Sequence, residues 1–269
     1  MHPILFEVYG FPVYSYGVLL AAAYLLGLQF ALMRARTRGL DPNRVMDLGI
    51  WIIISALAGA KLLLFIVEFD TYKNPAELLT LMRSGGVFYG GLIAAVVVAL
   101  WYLRRYRMPM WTVTDVFAPG IALGHVIGRM GCLFAGCCFG RPTSVAWAVT
   151  FQSEYAAQNV GTPLHIPLHP TQLYEAAAEL LILGILLATE RKGRAYPGRT
   201  FWLYMLFYGI SRFIIEIYRG DVRGTVGMFS TSQFVSIVLV PLAIIMLIVL
   251  GRRAAGPAPA AAERKARAA

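Results

Sequence analysis

Seven times along this chain the apolar positions run together for close to twenty residues, at about 15–33, 46–67, 87–103, 113–130, 171–189, 200–218 and 232–250. An α-helix rises about 1.5 Å per residue, so about twenty apolar residues cross the roughly 30 Å of hydrocarbon in a bilayer. The pattern predicts an all-α polytopic membrane protein with seven transmembrane helices. Between the fourth and fifth runs, residues 142–168 are the sizeable extramembrane stretch: Ser144 to Phe151 alternates like a strand, and Pro163, Pro167 and Pro170 interrupt any regular structure beyond it. This stretch is too short to hold a core of its own, so it reads as a small cap. Residues 252–269 are of low complexity, alanine-rich and basic, and are expected to be disordered. The expected organisation is one seven-helix domain over 1–251 with the cap inserted at 142–168, then a basic tail.

Composition excludes a water-soluble domain of this length: 58% of residues are hydrophobic, 14% are charged, and the mean hydropathy is +0.65. The N-terminus lacks the basic start and small-residue cleavage site of a secretory leader, so the first span is expected to be retained. Of the 24 Lys and Arg residues, four fall in 34–44, three in 104–107, four in 190–199 and five after 251. The alternate connections hold only Lys73, Arg83, Arg129, Arg141, Arg219 and Arg223. This bias predicts an outer N-terminus and a cytoplasmic C-terminus, which agrees with the odd number of crossings. The net charge of +10 is then accounted for by topology and by anionic lipid of the inner leaflet, and calls for no nucleic acid.

Against this background one stretch stands apart. Gly128-Arg129-Met130-Gly131-Cys132-Leu133-Phe134-Ala135-Gly136-Cys137-Cys138-Phe139-Gly140-Arg141-Pro142-Thr143 holds two arginines, four glycines and all three cysteines at the end of the fourth span. An arginine costs about 2.5 to 3.5 kcal/mol at the bilayer centre, so it calls for an anionic partner or a water-filled cavity. The glycines serve either close approach of backbone to a ligand or a tight re-entrant turn. The fifth span opens His169-Pro170-Thr171-Gln172-Leu173-Tyr174-Glu175, and Gln172, Glu175 and Glu179 share one helical face. Two carboxylates four residues apart in a membrane helix repel each other and need cations or protons. The sixth span ends in a stripe of Tyr208, Arg212, Glu216 and Arg219. Arg212 and Glu216 are spaced to pair, so reversing both charges is expected to restore part of what either single reversal loses, whereas Arg219 has no carboxylate at that spacing. Lys61, beside the small-residue face of Ser55, Ala56, Gly59 and Ala60, reads either as a snorkelling lysine or as an inward-facing charge. Tyr89, before Gly90-Gly91, reads as an interfacial aromatic or as a polar tip aimed into a cavity. Tyr9, Tyr14 and Tyr16 suit the interfacial belt, and His125 lies on an apolar face as a satisfied core histidine.

In the predicted orientation Tyr89, Arg129 to Arg141, His169 to Glu175 and Arg212 to Arg219 all lie at the outer ends of their spans. Arginine-rich clusters with interleaved aromatics at one leaflet suit a lipid phosphate whose acyl chains stay in the bilayer. The order and spacing of Phe88-Tyr89-Gly90-Gly91-Leu92, of Gly128-Arg129-Met130-Gly131 with Gly136 and Gly140-Arg141, of the His169 to Glu175 block, and of Tyr208-Gly209 through Arg212, Glu216 and Arg219 span most of residues 15–250. In them the chain resembles the prolipoprotein diacylglyceryl transferases.

That resemblance implies transfer of diacylglyceryl from phosphatidylglycerol to the lipobox cysteine thiol of a prolipoprotein, with release of glycerol phosphate. It implies a multi-pass protein of the bacterial inner membrane whose site opens toward the outer leaflet. Its expected partners are phosphatidylglycerol, lipobox signal peptides and membrane lipids, with no nucleic acid, cofactor or metal. On this reading Arg129, Arg219, Tyr89 and His169 are the catalytic candidates, Arg129 and Arg219 holding the phosphate. Arg129, Arg141, Lys61, Gly131, Gly136, Gln172, Tyr174, Glu175, Arg212 and Glu216 line the substrate site.

This chain departs from the pattern, with Cys132, Ala135 and Cys137 in place of asparagine, asparagine and glutamate, Tyr89 in place of histidine, and Lys61 where arginine is frequent. A phenol with a free pKa near 10 is a poor base at neutral pH. That leaves His169, His125 and Glu175, of which His169 ranks first by its place beside the most specific block. Three cysteines without a histidine pair make a poor zinc site, but Cys-x4-Cys-Cys could close a disulfide. A membrane thiol-redox enzyme using Cys132, Cys137 and Cys138 is therefore one alternative. A transporter of an anionic solute is another, although it would need polar positions through the inner half, where few occur.

Overall fold

The computed structural model describes residues 2–72, 77, 80–81, 86–190, 196–221 and 224–255. Their elements run β1 (Ile4–Val8), β2 (Phe11–Tyr14), α1 (Ser15–Thr37), α2 (Pro42–Val67), α3 (Phe69–Tyr72), α4 (Phe88–Arg105), α5 (Met110–Ala135), β3 (Val149–Thr150), α6 (Glu154–Val160), β4 (Pro167–Leu168), α7 (Thr171–Glu190), α8 (Arg199–Glu216), β5 (Thr225–Val226), β6 (Phe229–Ser230) and α9 (Thr231–Ala255). The seven long helices fall on the seven apolar runs. Six are long and apolar enough to cross a membrane. The exception is α8, whose 18 residues include Arg199, Arg212 and Glu216. Leu62, Ile66, Ile93, Val97, Leu180 and Leu181 are each more than half exposed, an arrangement that lipid tails accept and water does not. The protein is an all-α polytopic membrane protein with small two-stranded sheets as its only other regular structure among the described residues.

The described residues divide into two compact units, one of Leu28–Val116 and one of the chain before and after it. In Leu28–Val116, α2 starts at Asp41, whose carboxylate accepts from the Asn43 amide at 2.9 Å with Pro42 in the first turn. Helices α2 and α4 cross with their backbones in contact: a side chain on Gly91 would lie 2.8 Å from the Ala56 carbonyl oxygen, and one on Gly59 would strike the Gly90 carbonyl. The small-residue face read from the sequence is thus the crossing surface.

In the other unit α5 and α7 are the most buried of the apolar helices, and α8 packs on both α7 and α9. Strands β1 and β2 form a hairpin turned at Tyr9 and Gly10, both with positive φ, where the sequence shows only an aromatic anchor. Of Ser144 to Phe151, only Val149 and Thr150 are strand, paired with Leu168 and Pro167, because a turn closed by the Ala148 amide on the Val145 carbonyl takes up the start of that alternation. The cap gains a core by sharing one: Phe139, Phe151 and Leu168 are buried together against Leu133, Val149 and Leu164. Helix α9 continues through Ala255, so Arg252 and Arg253 sit in its last turn and not in a tail. Residues 256–269, with Lys73, Arg83, Arg191, Lys192, Arg194 and Arg223, lie outside the described residues.

Candidate active site

The shared face of α7 is buried along its length at Gln172, Glu175 and Glu179, and each of the three is answered by a different part of the chain. Glu175 receives three arginines. Arg129 of α5 places Nη2 2.6 Å from Oε2, while Arg212 of α8 and Arg219, just beyond α8, place Nη1 at 3.2 Å and 3.0 Å from Oε1. Buried charges persist only when paired and hydrogen-bonded, and the arginines have further partners. Arg212 Nη2 lies 2.6 Å from Glu216 Oε2 and donates to Ser232 Oγ at 3.0 Å. Arg219 is chelated by Asp221, with Nε donating to Oδ1 at 2.8 Å and Nη2 to Oδ2 at 2.7 Å. Burial works against the Arg219 charge, yet the Asp221 hydrogen bonds and the nearby negative charges, Glu175 among them, outweigh it and hold the guanidinium above the ordinary arginine range.

Arg129 and Arg219 share a carboxylate to which no helical spacing rule points: Arg219 and Glu175 are 44 residues apart. The Arg212 to Glu216 pair exists at the expected spacing, but Arg212 also faces Glu175, so exchanging the two charges would set carboxylate against carboxylate and would not restore function. The side chains also differ in access: Arg129 is 15% exposed, Arg212 7% and Arg219 2%. Arg129 is the most exposed of the three.

One turn back along α5, His125 is not an apolar-core histidine. Its Nδ1 lies 2.8 Å from Glu179 Oε1, and its Nε2 accepts from Arg129 Nε at 3.3 Å. Glu179 Oε2 is buried with no hydrogen-bond partner among the described residues. His125 and Glu179 each stand four residues from a recognised site residue, Arg129 and Glu175, on the same helical face; that spacing was the available signal for both.

Helix α5 ends at Ala135, and the chain then reverses through Gly136 at φ +80° and Cys138 at φ +64°. Left-handed backbone is natural for glycine and rare for cysteine, so outside bonds must hold it. Gln172 Nε2 donates to the Cys137 carbonyl and Thr171 Oγ1 to the Cys138 carbonyl, both at 2.7 Å. The three cysteines are free, so no disulfide joins them. Gly131 packs beside Tyr16 and Leu19 of α1. Further on, the backbone laces the polar segments together: the Gly140 amide donates to the His169 carbonyl at 3.0 Å, the His169 amide to the Arg141 carbonyl at 3.0 Å, the Arg141 amide to the Tyr218 carbonyl at 2.8 Å and the Gly220 amide to the Phe139 carbonyl at 3.1 Å. Any side chain on Gly140 would lie 2.5 Å from His169 Cβ and carbonyl oxygen. Arg141 Nε donates to the Arg219 carbonyl at 3.1 Å, which clamps the chain end that carries Arg219.

His169 stands in an aromatic group. Its Nδ1 is 3.1 Å from the Tyr174 hydroxyl, which accepts from Trp147 Nε1 at 2.7 Å, and its ring meets Tyr218 edge to face. Lys61 and Tyr89 belong to the Leu28–Val116 unit. Lys61 Nζ donates to the Leu81 carbonyl at 2.8 Å; Tyr89, in the first turn of α4, is 40% exposed with its ring edge to face on Phe88.

The chain is similar throughout this region to proteins of one kind. The model of the family described as prolipoprotein diacylglyceryl transferase matches residues 3–249. The phosphatidylglycerol–prolipoprotein diacylglyceryl transferase of Clostridium tetani is 36% identical over 237 residues, covering 88% of this chain and 93% of its own. The protein named phosphatidylglycerol–prolipoprotein diacylglyceryl transferase 2 of Clostridium perfringens is 34% identical over 88% of this chain and 91% of its own. The phosphatidylglycerol–prolipoprotein diacylglyceryl transferase of Synechococcus elongatus is 32% identical over 91% and 86%. With three arginines gathered on one buried carboxylate and a family match over nearly the whole length, this chain belongs to the prolipoprotein diacylglyceryl transferase family.

Proposed function

We propose that this chain transfers the diacylglyceryl group of phosphatidylglycerol to the lipobox cysteine of prolipoproteins. The observation that carries the reading is the Arg129 guanidinium, the most exposed of the three that meet on Glu175. A lipid phosphate draws Arg129 away, and Arg212 and Arg219 keep the carboxylate neutralised. The substrate thiolate attacks the glyceryl carbon that bears the phosphate ester; the C–S bond forms, the C–O bond breaks, and its electron pair leaves on the phosphate oxygen of glycerol phosphate. Charge grows on that oxygen as the bond breaks, so Arg129 binds the transition state more strongly than the diester.

The thiol proton needs a base, since a free thiol titrates near 8.5. The contacts favour His125 over His169. Glu179 behind Nδ1 fixes the tautomer with a lone pair on Nε2 and stabilises the imidazolium that forms. When Arg129 turns to phosphate its Nε leaves Nε2, and the lone pair becomes free. A neutral His169 whose Nδ1 accepts from Tyr174 has its proton on Nε2 and no free lone pair.

The arginine-rich ends Arg34 to Arg44, Arg104 to Arg107 and Arg252 to Arg253 support a cytoplasmic face opposite the site. The site then opens to the outer leaflet of the inner membrane, with seven crossings. Neither the thiol-redox nor the transporter reading is favoured by the family match. Expression in a bacterium depleted of its own transferase tests the proposal: the chain should restore growth, and Arg129→Gln at equal membrane level should not. Failure of the unaltered chain to rescue, despite insertion, would contradict it.

A further inference from the structure

The proposed transfer calls on none of Cys132, Cys137 and Cys138, because its thiol arrives with the substrate. Their three sulfurs nevertheless lie within 4.8 Å of one another. This proximity is built by the backbone. The left-handed residues Gly136 and Cys138 fold the chain back on the end of α5, and Gln172 and Thr171 pin the carbonyls of Cys137 and Cys138. Cys132 is buried, whereas Cys137 and Cys138 are half-buried, so the cluster has an open side.

We propose that the three thiols form a trithiolate site for a thiophilic d10 cation, Cu(I) or Zn(II). Metal–sulfur bonds of about 2.3 Å set sulfurs about 4 Å apart around a three-coordinate ion. The observed cluster therefore needs to contract by less than about an ångström to close on one. Imidazole does not compete: His125 faces Glu179 and Arg129, and His169 faces Tyr174. A donor set of thiolates alone selects soft cations over Mg²⁺ or Ca²⁺. Each thiol releases its proton to solvent on binding, leaving net charge −2 with Cu(I) and −1 with Zn(II). Arg129 and Arg219 lie within electrostatic reach of Cys138 and offset that charge. Cu(I) is satisfied by three sulfurs, whereas Zn(II) takes a water as fourth ligand on the open side. Read from spacing alone, zinc lacks a histidine pair; the turn at Gly136 supplies the third thiol that spacing does not show.

The test uses the full chain in lipid nanodiscs, prepared without oxygen, with each metal alone as probe. Cu(I) is added against a chromogenic chelator, and Cd(II), as a spectroscopic stand-in for Zn(II), is followed by its sulfur-to-metal charge-transfer band. The expected result is one equivalent bound per chain. Cys132→Ser, Cys137→Ser and Cys138→Ser should each weaken binding by at least the roughly tenfold to hundredfold that loss of an outer-sphere partner costs. Where a serine variant fails to fold, protection of the unaltered chain decides: bound metal should shield all three thiols from maleimide, counted by mass. No stoichiometric binding, a triple serine variant that binds equally, or protein isolated with a disulfide among these cysteines would overturn the site. None of these readouts depends on transferase activity.

Discussion

Replacing Arg129 with glutamine removes a charge that the proposed substrate needs, while Arg212 and Arg219 stay on Glu175. Transfer should fall about 10²- to 10³-fold in kcat, as for loss of one transition-state donor, with a small change in thermal unfolding. Arg219→Gln should behave differently, because it removes the most buried of the three guanidiniums together with its bonds to Glu175 and Asp221; a hydrogen bond to a charged group is worth about 1.5–3 kcal/mol. Unfolding followed in nanodiscs beside the transfer assay separates the two, and equal destabilisation by both variants would contradict the division of roles. His125 and His169 are separated by substitution: His125→Asn should nearly abolish transfer, as loss of the base, whereas His169→Asn should only lower the rate; the reverse order, measured in the transfer assay, would contradict the choice of His125. Much at this scale is legible in the sequence: Gln172, Glu175 and Glu179 on one face, and Arg212 paired with Glu216, follow from helical spacing. The meeting of Arg129 and Arg219 on Glu175 is not, because it joins three elements far apart in sequence. His125 reads wrongly as a core histidine: Arg129 four residues on was the visible signal, and its carboxylate neighbour Glu179 lies on another helix.

Helices are the most legible elements. Hydrocarbon demands that every backbone amide and carbonyl be satisfied within the span, so an apolar run of sufficient length has few alternatives to a helix. The short strands are not legible: two to five residues carry no usable periodicity, and the hairpin at Ile4 to Tyr14 is specified by its turn at Tyr9 and Gly10. The crossing that brings Gly140, His169, Tyr218 and Gly220 together is equally non-local, although the glycines announce a close approach of some kind. Gly140→Ala tests it. The added methyl meets backbone as well as the His169 side chain, and should cost about 1–3 kcal/mol or more. It should loosen the segment holding Arg219 and lower the unfolding temperature together with activity. A fully stable, fully active alanine variant would show that the crossing does not set the site.

At the scale of the whole molecule the solvent explains the surface. Large apolar side chains stand exposed along α2, α4 and α7, while the buried polar residues concentrate on α7, on α8 and just beyond it. A core of ion pairs is poor support for stability; on the proposed function its retention is explained by chemistry, since it holds arginines charged for a lipid phosphate. The sequence displays the apolar spans and the arginine-rich ends of the polar helices. It does not display the division into two units, which depends on which helices pack together. The central claim is met most directly by one measurement: purified chain in nanodiscs with phosphatidylglycerol labelled in its diacylglyceryl part and a lipobox peptide, followed by mass spectrometry. A thioether-linked diacylglyceryl peptide and one glycerol phosphate released per transfer are expected, with none formed from a peptide carrying serine for the lipobox cysteine and far less by Arg129→Gln. Transfer to the serine peptide, or no thioether from folded protein, would contradict it.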